Sequence, residues 1–217
     1  MSERKRVVLL VGSPKGLGRS ASAKLGRAVT NILEASGWQF NAFHLHAAVS
    51  AEDELSKLLA AIDASDLVVL SMPLYVDSLP APVIHVLHDI AAHRSQSTSN
   101  RAPHFFSILN CGFVDPWQNS GAQNMLRLFC KQARLEHVGE ISLGSGGAPT
   151  GRVVKALKLA AAALNEGKRI PERVADLTKR RPIPAFMYIV GGNFMWKKQS
   201  KRNGVRDQLK AQPYKRA

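Results

Sequence analysis

Three short stretches of this chain carry the residues best suited to chemistry. The first, Gly12-Ser-Pro-Lys-Gly-Leu-Gly-Arg-Ser-Ala-Ser22, sets glycines, hydroxyls and two cations directly before a helical pattern. Backbone N–H groups at a helix N-terminus and the helix dipole attract anions, and Lys15, Arg19, Ser20 and Ser22 could supplement them, so the stretch reads as a phosphate site. The plainer alternative is a strand-to-helix turn with a serine N-cap. The second stretch is Pro73-Leu-Tyr-Val76 and the third Asn110-Cys-Gly-Phe113, each following an apolar run. Tyr75 and Phe113 read alternatively as packing residues, but a tyrosine on a proline-flanked loop at a strand's carboxyl end argues against pure core. His44, His46, His85 and His88 lie outside these stretches and are expected to be surface or capping groups.

The elements that must position these stretches follow from periodicity. Val7-Val8-Leu9-Leu10-Val11 is a continuous β-branched and aliphatic run, the pattern of a parallel strand buried on both faces. Residues 20–36 turn helical, with Leu25, Ala28, Val29, Ile32 and Leu33 at three- and four-residue steps and Gly37 at the stop. The same alternation continues as strands over 38–45, 66–72, 105–110 and 138–143 and helices over 52–64, 83–92, 121–135 and 152–164. The Ser/Thr/Asn-rich segment 94–101 reads as a surface connection. Strand and helix alternating five times predict an open, doubly wound α/β sheet of parallel strands flanked by helices. In such sheets ligands bind outside the carboxyl ends of the strands where the strand order reverses, which singles out the loops after strands one, three and four.

Two families compete for the first loop. Gly12-x-x-x-Gly16-x-Gly18 matches the glycine-rich loop of short-chain dehydrogenases, and Gly16-x-Gly18-x-x-Ala21 fits a dinucleotide fingerprint. That family needs a Tyr-x-x-x-Lys pair, yet Tyr75 is followed four positions later by Leu79, Tyr188 by Gly192, and Tyr214 lies at the chain end. It also lacks its Asn-Ala-Gly element here, and no acidic residue closes the second strand to hold a ribose.

The later loops favour the other family. Gly12-Ser13-Pro14 with Arg19-Ser20, then Asp66–Pro82 with its Pro-Leu-Tyr and Leu-Pro-Ala pieces, resemble the flavodoxin-like NAD(P)H-dependent FMN reductases and NAD(P)H-quinone oxidoreductases. Asn110-Cys-Gly-Phe113, Gln118-Asn119, Phe129 and Gly144-Ser-Gly-Gly147 are similar to later motifs of one branch, and Asn193–Gly204 fits more faintly. Arg19 stands where the relatives often carry Asn. True flavodoxins carry a Thr-x-Thr-Gly-Asn-Thr run and are usually acidic, so the resemblance disfavours an electron carrier.

The resemblance implies a flavodoxin-like fold and FMN as cofactor. Ser13, Lys15, Gly18, Arg19, Ser20 and Ala21 would surround the phosphate. Pro73, Leu74, Tyr75 and Val76 would lie along the ribityl chain and ring with their backbone amides toward the ring's polar edge, and Asn110, Cys111, Gly112 and Phe113 would complete the pocket. It implies a ping-pong oxidoreductase in which NAD(P)H delivers hydride to flavin N5 and a quinone, azo or nitro compound or free flavin then takes its place. No catalytic side chain is required, and a homodimer is implied. Without retained FMN the fold would serve as a binding or regulatory module.

Composition narrows the rest. At 217 residues and 45% hydrophobic the chain supports a sizeable core. Its net charge of +14 is uneven: residues 168–217 carry 14 Lys and Arg against 3 Asp and Glu, leaving residues 1–167 at +3. Residues 1–167 are therefore read as the ligand-bearing domain and 168–217 as a basic extension, with a short helix near 172–178, an apolar element over 186–196 and a charged end. A helix whose apolar part packs on its own sheet or a partner subunit is the favoured reading, over contact with nucleic acid or an anionic membrane surface. Cys111 and Cys130 form neither a disulfide framework nor a zinc site and are expected to be reduced thiols, with no metal bound. The charged start and the short run 7–11 suggest a cytoplasmic protein without a signal peptide or transmembrane segment.

Overall fold

The five expected strands form as β1 (Arg6–Val11), β2 (Gln39–His44), β3 (Leu67–Pro73), β4 (His104–Asn110) and β5 (Glu136–Leu143) in a computed structural model. It describes residues 4–97, 101–147, 149–181 and 183–211. Pro182, part of the 94–101 connection, Tyr214 and the rest of the charged end beyond residue 211 lie outside these. The strands pair in the order β2-β1-β3-β4-β5, and every pairing is parallel.

The helices are α1 (Gly16–Arg19), α2 (Ala21–Ala35), α3 (Leu45–Ser50), α4 (Glu52–Asp63), α5 (Ala81–Gln96), α6 (Ser120–Gln132), α7 (Gly151–Asn165), α8 (Glu172–Thr178) and α9 (Ala185–Arg202). Residues Met1–Pro182 form one compact unit and Ile183–Ala217 a second. Helix α8, expected inside the basic extension, buries Val174 in the first unit. Alternation along the strands divides the first unit's core into two layers. Val8, Leu10, Leu70, Met72 and Leu109 pack under α3 to α6, whereas Val7, Leu9, Val11, Val69 and Ile108 pack under α2, α7 and α8. Each such side chain contributes about 1.5–3 kcal/mol when fully buried.

The boundaries depart from periodicity where polar residues find partners. Helices α1 and α3 are too short to show a repeat, and α3 takes over at Leu45, where the second strand was expected to run on. Helix α5 continues through Arg94, expected to open the surface connection, and this arginine is 1% exposed. Its guanidinium donates to Asp63 Oδ1 at 2.7 Å, to the Ala133 carbonyl at 3.0 Å and to the Arg101 carbonyl at 2.8 Å, satisfying the burial of a charge. His93 Nε2 lies 2.6 Å from the other Asp63 oxygen.

Burial alone would raise the Asp63 carboxyl, but the hydrogen bonds and charges of His93 and Arg94 hold it below its ordinary value of 3.8. A depressed carboxyl stabilises the fold above the unfolded value, and that contribution is lost as pH falls through the folded one. Thermal unfolding scans should therefore show the melting temperature falling as pH drops below about 4, and Asp63→Asn should flatten that part of the profile.

Candidate functional site

Because the strands are parallel, the loops after β1, β3 and β4 emerge at one edge of the sheet. The register sets Val11 beside Ser71 and Pro73 beside Asn110, so the three sequence-predicted stretches are neighbours. The order of the strands reverses between β1 and β3, where the first two loops meet. A crevice at the carboxyl ends of these strands is the place where this architecture receives ligands.

The first loop folds on itself before it meets anything else. The Ser13 hydroxyl accepts from the Lys15 amide at 3.4 Å, and the Gly16 amide donates to the Ser13 carbonyl at 3.3 Å. Ser20 caps α2 by accepting from the Ala23 amide at 3.0 Å and donates its own proton to the Gly16 carbonyl. Ser13 and Ser20, expected to contact an anion, are thus buried and hold the loop's shape. Lys15, Gly18, Arg19 and Ala21 are exposed. Neither α1 nor α2 has an acidic residue in its first turn, and among the described residues Lys15 and Arg19 form no ion pair, so this helix start presents uncompensated positive charge. Gly12 is required by close approach, since a Cβ there would sit 2.6 Å from Val83 Cγ2 and 2.8 Å from Met72 Cβ.

The second loop is a tight turn. Tyr75 and Ser78 exchange amide-to-carbonyl hydrogen bonds at 3.0 and 3.1 Å around Val76 and Asp77, whose φ angles are 49° and 57°. Two left-handed residues in a two-residue turn define type I′, which aspartate tolerates and a β-branched valine does not. Val76 is 99% exposed and Tyr75 45%. The Leu74 amide donates to the Asn110 carbonyl at 2.8 Å and the Tyr75 amide is used inside the turn, so the expected row of amides facing a ligand is confined to the tip. Pro73 is half-buried and Leu74 buried. Strain held at an exposed tip costs about 1–3 kcal/mol and clusters at ligand sites. Val76→Gly should therefore raise the melting temperature of the free protein, because it removes strain and no packing; an unchanged or lower value in differential scanning calorimetry would show that valine is at ease here.

In the third stretch Asn110 and Cys111 are buried while Gly112 and Phe113 are exposed, Phe113 at 55%. Asn110 accepts from the Ser22 hydroxyl at 2.8 Å, and Ser71 donates to the Ser22 carbonyl at 2.7 Å. This buried chain fixes the start of α2 against β3 and β4, which makes Asn110 a positioning residue. Burial pushes the Cys111 thiol above its ordinary value, and it faces the Phe113 and Asp115 carbonyls at 3.7 and 3.6 Å. It is a neutral packing group rather than a nucleophile. Cys130 is pushed up to about 12 by burial and by Glu140.

No family model and no curated protein matches the chain. Among solved structures it is similar to a flavodoxin from Streptococcus pneumoniae TIGR4, with a TM-score of 0.55 and 13% identity over 75% of this chain and 99% of that one. The fold is flavodoxin-like. The same fold links it to an NADH:FMN oxidoreductase in its apo form, with a TM-score of 0.59 and 17% identity over 84% and 98% of the two chains. An FMN-dependent NADH-azoreductase from Bacillus anthracis, solved with FMN, gives 0.58 and 12% over 74% and 100%.

Two parts of this flavodoxin-like edge lie outside the site residues expected from the sequence, which reads His44 as a surface or capping group and Gly144-Ser-Gly-Gly147 only as a motif of the resemblance. His44, at the end of β2, places Nε2 2.8 Å from the Ser13 carbonyl, so its ring donates to the first loop and stacks on His46 at 5.3 Å. Only the strand order, which sets β2 beside β1, could have pointed to it. The glycine run after β5 supports the third loop: the Ser145 and Gly146 amides donate to the Phe113 and Cys111 carbonyls at 2.5 and 2.7 Å. A Cβ on Gly144 would lie 2.3 Å from the Val114 carbonyl oxygen, so the two loops can approach only through glycine.

Proposed function

We propose that this chain is an FMN-dependent NAD(P)H oxidoreductase, passing electrons to a quinone, an azo or nitro compound, or free flavin. One observation carries the reading. The uncompensated positive helix start at Lys15 and Arg19 stands at the β1/β3 switch point, next to loops that expose Tyr75 and Phe113. A cationic cradle for one phosphate beside aromatic faces for a flat ring fits a mononucleotide flavin better than a dinucleotide. FMN, when bound, supplies the hydride and electron chemistry itself.

The chain's own residues then bind and orient. Lys15, Arg19 and the Ala21 amide would hold the phosphate, with Ser13, Ser20 and His44 keeping the loop in shape. Tyr75, the Val76 tip, Gly112 and Phe113 would bound the ring, and Asn110 and Ser22 would keep the two halves in register. Cys111, buried and with its thiol pushed above its ordinary value by burial, would line the pocket as a packing group. The proposal includes the homodimer implied by the family resemblance, which sedimentation equilibrium measures.

Steady-state assays of the purified protein with NADH or NADPH, FMN and a soluble quinone test the reading. FMN-dependent loss of nicotinamide absorbance, with parallel lines in double-reciprocal plots, is the expected result. FMN binding without turnover would assign the chain to the binding or regulatory class instead.

A further inference from the structure

The second unit presents a helix whose surface does not match water. From Ile183 to Trp196 no residue is charged, and Phe186, Ile189, Val190, Phe194, Met195 and Trp196 of α9 are 59–72% exposed. At 100° per residue these side chains surround the helix: Phe186 and Val190 share one side, Met195 lies opposite Phe186, and Ile189 and Trp196 occupy a third. A groove on a protein covers one strip of such a helix, whereas an apolar medium covers all of it. Twelve residues of helix rise about 18 Å, well short of the ~30 Å hydrocarbon core. No helix among the described residues is long and apolar enough to cross a membrane.

Charge brackets this apolar segment on both sides. Lys179, Arg180 and Arg181 precede it in sequence, Lys179 paired with Asp176 and Arg181 with Asp115, and Lys197, Lys198, Lys201 and Arg202 follow within α9, all exposed. The cations at the end of α9 hold it among anionic headgroups on one side of a bilayer, with the apolar turns that precede them sunk into the acyl boundary. We propose that α9 is an in-plane anchor for an anionic phospholipid surface. Nucleic acid would meet the lysines but leave the apolar turns in water. A second copy of the chain would bring one cationic helix end against other positive charge, in a protein already at +14. The proposal is independent of the flavin reading.

Flotation of the full-length protein with vesicles of phosphatidylcholine, alone or with phosphatidylglycerol added, tests it. The protein should float with the phosphatidylglycerol vesicles, be released by high salt, and show a blue shift of tryptophan emission that Trp196→Phe removes. Lys197→Glu with Lys198→Glu should weaken partitioning by at least about fivefold per charge. Phe194→Asp should abolish it, with the circular dichroism of the first unit's strands and helices kept. Retention in solution with both vesicle types, or equal binding to neutral vesicles, would overturn the anchor. A dimer that Phe194→Asp dissociates, without vesicle binding, would assign α9 to a second copy, and duplex DNA binding that survives Phe194→Asp, again without vesicle binding, would assign the basic residues to nucleic acid.

Discussion

Replacing Arg94 with methionine is expected to destabilise the first unit by about 2–3 kcal/mol, since the guanidinium is buried while its partner Asp63 is 34% exposed and keeps His93. The methionine fills much of the volume but removes the donor to the Ala133 carbonyl and leaves Asp63 with His93 among the described residues. Because Arg94 ties α5 to α4 and to the end of α6, the loss should appear as a lower urea midpoint with an unchanged slope. Asp63→Asn in the same background should cost far less than it does alone, since the two changes share one interaction. A shift below about 1 kcal/mol for Arg94→Met would mean that water replaces the guanidinium freely.

The second large effect concerns ligand affinity. Lys15→Ala combined with Arg19→Ala should weaken FMN binding by about 10- to 100-fold, with little change in riboflavin binding, because both side chains are exposed and address only the phosphate. The melting temperature should stay within about 1–2 °C, as neither side chain forms an ion pair among the described residues. Calorimetric titration of both ligands separates these outcomes. An equal loss for FMN and riboflavin would place the phosphate elsewhere.

The centre of the sheet is legible because β1 and β3 are runs of β-branched and aliphatic residues buried on both faces, while β2 and β5 are polar and partly exposed, and α2, α4 and α7 repeat their apolar positions. Helix α8 forms at Glu172–Thr178, where a short helix is expected between the prolines at 171 and 182. The burial of Arg94 is not legible in the sequence, because its local composition is that of a loop and its partners are carbonyls from other segments. The three ligand loops were recognisable as glycine-, proline- and aromatic-containing segments at strand ends. Which side chains turn inward was not, since the hydroxyls of Ser13 and Ser20 can satisfy either an anion or their own loop, and only the folded backbone makes the choice. The left-handed Val76 was also invisible, because nothing in its neighbours demands a type I′ turn around a valine.

Titrating FMN with the wild-type protein while following flavin fluorescence decides whether a flavin binds at the ends of β1, β3 and β4. Saturable one-to-one change in emission, weakened by added salt and by Phe113→Asp, is the predicted result. Emission that stays constant through excess protein would contradict a flavin site at the ends of β1, β3 and β4.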